Sequence, residues 1–121
     1  MKIKTQDMTP IALNWAVAKA HGENPVIENG VVYSLKTIAH REYKLVWEPS
    51  INWGQGGPVI ERERIEIFYI RVDNDNEPEW GAGKYGTLVE QSGPTPLIAA
   101  MRCYVASKMG NEVDVPDEIK E

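Results

Sequence analysis

Residues 95–110, TPLIAAMRCYVASKMG, decide the fold. Thr95 followed by Pro96 is a capping side chain ahead of a residue suited to the first helical turn, where a missing N–H costs nothing. Leu97, Ile98, Ala99, Ala100, Met101, Tyr104, Val105 and Met109 then cover nearly the whole circumference, so this helix must be largely buried. Gly110 ends it. Residues 9–22, TPIALNWAVAKAHG, follow the same grammar, with Thr9 as cap, Pro10 in the first turn, few polar interruptions beyond Asn14 and Lys19, and Gly22 as the stop. Two helices this apolar cannot both face water, and they are predicted to pack in one core.

Between the helices the pattern is that of strands. Residues 31–35 and 43–47 read as strands, the first preceded by the turn pair Asn29-Gly30, with 36–42 a polar, exposed connection. The run 65–72 is the strongest strand, apolar on both faces and therefore expected to be central and covered on both sides. Residues 73–86, DNDNEPEWGAGKYG, have the composition of a long surface loop, with Trp80 and Tyr85 as anchors, and 87–90 read as a further short strand. Residues 2–8 suit a short first strand, and the acidic tail has Val113 and Val115 to dock. Strands cluster between the helices instead of alternating with them. The fold predicted is therefore α+β, a small, mainly antiparallel sheet of roughly three to five strands packed against two buried helices.

The 121 residues, 42% of them hydrophobic, suit a single domain spanning 1–121. A net charge of −5 argues against general nucleic-acid binding, which needs a surplus of Lys and Arg on one face. The single Cys103 has no partner for a disulfide and lies in an apolar run, as a buried thiol does in a reducing cytoplasm. No apolar run reaches the length of a signal peptide's core or a membrane span, so the expectation is a soluble protein without a membrane role.

Unusual local chemistry concentrates at residues 51–64, INWGQGGPVIERER. Gly54, Gly56 and Gly57 read as a loop that lets a ligand or second chain approach the backbone, Trp53 as its flat apolar face, and Pro58 as its exit. Glu61, Arg62, Glu63 and Arg64 alternate, so an extended chain would place acids and bases on opposite faces. No lysine or hydroxyl residue follows the glycines as a phosphate-binding loop requires, and the spacing of a dinucleotide fingerprint is missing. The start of the second helix at Thr95 offers backbone N–H groups and a positive dipole end, with Arg62, Arg64 or Arg102 to add charge. The candidate ligand-binding set is Asn52, Trp53, Gln55, Gly56, Gly57, Glu61, Arg62, Thr95 and Arg102. Beside it stands the plain alternative that Thr95 caps its own helix, Arg102 pairs within the fold and Trp53 packs on the core. Neither a catalytic constellation, a metal site nor a cofactor is expected, because Cys103 is mid-helix and His21 and His40 lack partners at ligand spacing.

The start MKIKT, the helix ALNWAVAKA, the block WGQGGPVIERERI and the run GPTPLIAAMRCYVASKMGNEVDVPDEI together resemble the NinX family of phage and prophage proteins. That resemblance implies a bacteriophage origin, expression in the host cytoplasm and a small accessory role, and it names no activity. Where the family pattern has an acid, this chain has Asn14 before Trp15 and Asn52 before Trp53; a catalytic acid would be lost there, a hydrogen-bonding group retained. Three functions follow as expectations. One is non-enzymatic capture of a small, nucleotide-like ligand where 52–62 meets the helix start at 93–96. Another is an inhibitor or adaptor binding a host protein of a defence or recombination system, and the last is an enzyme using Glu61 or Glu63 as base. A homo-oligomer is compatible with each.

Overall fold

The computed structural model describes residues 1–72 and 77–119. In chain order it comprises β1 (Lys2–Lys4), a 3-10 turn (Thr5–Asp7), α1 (Pro10–Ala20), β2 (Pro25–Glu28), β3 (Val31–Ile38), β4 (Arg41–Val46), α2 (Trp53–Glu63), β5 (Ile65–Val72), β6 (Pro78–Lys84), β7 (Glu90–Gly93), α3 (Pro96–Met109) and β8 (Glu112–Asp114). The class is α+β. Among the described residues the strands form three small antiparallel sheets, β1-β8, β2-β3-β4 and β5-β6-β7, where one sheet was expected.

Helix α3 is the centre of the molecule. From Leu97 to Ala106 every residue except Arg102 is buried, and α3 packs against α1, α2 and the β5-β6-β7 sheet. Its near-uniform apolar surface demands neighbours on all sides, and these are they. The sheet approaches closely because β6 and β7 carry small residues: a Cβ on Gly93 would lie 2.9 Å from Ile98 Cγ2 and 3.0 Å from the Ala99 nitrogen. Arg102, on the same helix, donates to the carbonyls of Met8 and Ser92, so it fastens two chain segments to α3. Helix α1 lies against α3 and packs on β2 and β3, with Ile27 against the core. The chain ends meet as β1 and β8, with Thr5 Oγ1 donating to the Gly110 carbonyl at 2.7 Å.

Several strand boundaries differ from the expectation. Residues 36–42 are exposed as expected from Thr37 onward, yet they continue β3 and β4 around a tight turn in which Ala39 and His40 have positive φ. Strand β5 is an edge of its sheet, with Phe68, Tyr69 and Ile70 at least 38% exposed, so one face is covered and not two. Ile65 and Ile67 face the core, while Phe68 lies across Gly81 and Tyr69 meets Trp80 edge-on. Of the stretch expected to be loop, 73–76 lies outside the described residues, and 78–84 is the middle strand of that sheet. The short strand placed at 87–90 begins instead at Glu90 as β7.

Candidate functional site

Residues 53–63, expected as a glycine loop running into an extended charged segment, are helix α2. Asn52 starts it: its Oδ1 accepts the Gly54 N–H at 2.8 Å, the usual role of an N-cap side chain. Arg64, in the left-handed region at φ 53, ends it. Gly56 is small because the helix docks tightly; a Cβ there would lie 2.5 Å from the Pro49 oxygen and 2.6 Å from Leu97 Cδ2. The periodic signal was present in the sequence, since Gly56, Val59, Ile60 and Glu63 fall at i, i+3, i+4 and i+7 and are the positions turned inward. Arg102 lies apart on α3, bound to Met8 and Ser92, while Asn52, Trp53, Gln55 and Thr95 lie toward the N-terminal end of α2 and Arg62 at its C-terminal end.

At its N-terminal end the polar candidates are engaged within the fold. Gln55 donates through Nε2 to the Val46 carbonyl at 2.8 Å and accepts the Glu48 N–H at 2.7 Å through Oε1, which clamps α2 to the end of β4. Thr95 Oγ1 accepts the Ile98 N–H, and the Thr95 carbonyl accepts that of Ala99. Since Pro96 has no N–H, little of the α3 dipole end is open to an anion. The apolar residues behave in the opposite way. Trp53 is 56% exposed and Ile51 59% exposed, and with Ser50, Thr95, Pro96, Leu97 and Ile98 they line a cavity of about 250 Å³. Ser50 Oγ is buried without a hydrogen-bond partner among the described residues. Trp53 and Thr95 thus come together as expected, whereas Arg62 and Arg102 do not line this cavity. Gly57 lies along the helix, and Glu61 is exposed.

The C-terminal end of α2 opens on a polar basin lined by Ala20, His21, Glu23, Arg62, Glu63, Tyr104 and Lys108. Glu63 is its hub, ion-paired to Arg62 at 3.1 Å, Lys84 at 2.9 Å and Lys108 at 3.5 Å. Burial alone would raise its carboxyl, but the hydrogen bonds from Lys84 and Arg62 outweigh that and hold it at about 2. Such a carboxylate is a weak general base at neutral pH. Burial, and then the neighbouring Arg62 guanidinium, pushes His21 below the ordinary imidazole value. Neutral His21 then accepts from Arg62 through Nε2 at 2.9 Å, with its ring edge-on to Trp47 and Tyr104. Glu23 is bound to Lys36 and to Ser34 Oγ. Sequence reasoning missed this cluster apart from Arg62 and Glu63, because it joins residues from α1, α2 and α3 that no local spacing links.

Cys103 is fully buried, and burial pushes its thiol up to about 11, so it is no nucleophile. Among the described residues no group of three or more His, Cys, Asp and Glu is placed to hold a metal, and no helix is long and apolar enough to cross a membrane. Asn14 and Asn52 both act as acceptors: Asn14 Oδ1 takes the Ser50 N–H at 3.0 Å in a buried setting, and Asn52 caps α2. An aspartate would accept the same bonds, so the fold uses these positions for an oxygen and not for a proton. No curated protein matches the chain. Residues 4–108 match the family described as Bacteriophage P22, NinX, and the chain belongs to that family.

Proposed function

With membership of a phage family as the premise, we propose that this phage accessory protein works by docking a partner protein of the host cell, in the host cytoplasm, through the apolar surface at Ile51 and Trp53. The observation that carries this reading is the division of labour at the start of α2: the polar side chains serve the fold, while two large apolar ones remain more than half exposed. Buried against a partner, each would contribute roughly 1.5–3 kcal/mol. Aromatic anchors beside a small pocket are the usual centre of an interface. Size points the same way. A cavity of about 250 Å³ holds one side chain, below the roughly 300–1,000 Å³ typical of small-molecule sites.

A second reading, capture of a small nucleotide-like ligand without catalysis, is favoured by the exposed Trp53 ring, on which a base can stack. Among the described residues that line the cavity there is no cation to balance phosphate. One experiment separates them. A photo-crosslinking amino acid replacing Trp53 in infected cells is expected to capture a protein, and that protein, once purified, is expected to bind the parent and lose binding to Trp53→Ala and Ile51→Asp. Absence of any protein crosslink, together with a nucleotide released from the purified parent and not from Trp53→Ala, would replace docking with ligand capture.

A further inference from the structure

The described sheets present their outer edges very differently. Strand β7 is shielded by a side chain: Gln6 donates through Nε2 to the Ser92 carbonyl at 3.0 Å and accepts the Ser92 N–H through Oε1 at 3.0 Å, as a neighbouring strand would. Strand β5 carries a register irregularity between Tyr69 and Arg71, which bends an edge away from flat pairing. Strand β2 is four residues long and starts at Pro25. Strand β4 has none of these devices between Arg41 and Leu45, Gln55 reaching only its end at Val46. Its six residues are all exposed, its register with β3 is unbroken from Arg41 to Val46, and Tyr43 and Leu45 are 43% and 49% exposed.

The direction of its free backbone groups follows from two bonds. Trp47 N–H donates to the Val32 carbonyl, so odd-numbered residues of this strand face β3. The Val46 carbonyl accepts from Gln55 on the other side, so even-numbered residues point outward. Gln55 therefore closes the edge at Val46 and leaves Glu42 and Lys44 open. From this geometry we infer that β4 pairs antiparallel with β4 of a second copy, about a two-fold axis at Tyr43. Antiparallel pairing about such an axis sets each residue opposite one of the same parity. Centred on Glu42 it would oppose two carboxylates, and centred on Lys44 two ammonium groups. Centred on Tyr43 it pairs Glu42 with Lys44 of the second copy twice over, and joins four backbone hydrogen bonds at those residues. Lys44, already bound to Glu28 and lying over Tyr33, gains a second carboxylate. The two Tyr43 rings meet as a close, non-hydrogen-bonded pair, and with Leu45 and Ile38, which share their face, they make one apolar strip across both copies. The result is a continuous six-stranded sheet.

This pairing is independent of docking at Trp53. Sedimentation equilibrium of the full chain from micromolar to several hundred micromolar tests it, with a monomer–dimer equilibrium as the expected result. Glu42→Lys is expected to weaken the dimer about ten-fold by opposing like charges at both symmetric positions, and Glu42→Lys with Lys44→Glu is expected to restore it. Because Cys103 is buried, Tyr43→Cys is expected to give a single disulfide-linked dimer on mild oxidation. A parent that stays monomeric throughout, with no crosslink from Tyr43→Cys, would overturn the inference. So would a dimer indifferent to the charge reversal, which would place the contact elsewhere.

Discussion

The two ends of α2 solve opposite problems with the same eleven residues of helix. At its start, Asn52 accepts the Gly54 N–H and Gln55 bonds the backbone of Val46 and Glu48, and the apolar Trp53 is left facing solvent. At its end, the charges are directed toward one another: Glu63 gathers Arg62, Lys84 and Lys108 into a network that satisfies itself. A surface whose polar groups are already matched but whose apolar groups are not has something left to gain from contact. A surface whose charges neutralise each other has little. That difference is why the apolar end, and not the more conspicuous charged basin, is the better place for recognition.

The comparison rests first on α2 being docked tightly at its start. Gly56→Val should cost about 3 kcal/mol or more, because the added carbons would meet the Pro49 backbone, and a melting temperature equal to the parent's would break the packing argument. Next in size is the buried acceptor beneath Ser50. Asn14→Ala should cost about 2 kcal/mol by leaving the Ser50 N–H unpaired, whereas Asn14→Asp, which keeps the oxygen, should retain more stability in chemical denaturation.

At the other end, Glu63→Gln should lose about 1 kcal/mol at neutral pH, since its partners are partly solvated. Its carboxyl lies lower in the folded protein than its ordinary 4.5, so its contribution is fully present above that value and is lost as pH falls toward about 2. The stability gap between parent and variant should therefore close over that window; a gap that stays constant would mean the charge is immaterial. Smallest is Trp53→Ala, expected to change stability within about 0.5 kcal/mol while removing docking. A large loss of stability there would return Trp53 to the core and erase the contrast between the two ends.

What the sequence by itself determined was whatever local rules specify. Thr95-Pro96 and Thr9-Pro10 start helices, Gly110 and Gly22 stop them, and the uniform apolarity of residues 97–106 announces burial from all sides, because caps, turn glycines and helical stripes depend on neighbours a few residues away. The α+β class followed from these signals and from the clustering of strands between the helices, whereas the family followed from the resemblance of whole blocks of sequence. Only the tertiary structure decided that residues 53–63 are helix, since Gly56 is set by the nearness of Pro49 and Leu97 and not by any loop conformation. It likewise decided that β5 is an edge, that β4 stands uncovered, and that His21, Glu63 and Tyr104 share one basin. Those outcomes rest on contacts between residues dozens of positions apart, and which segment covers which face is settled by how the whole chain packs around α3.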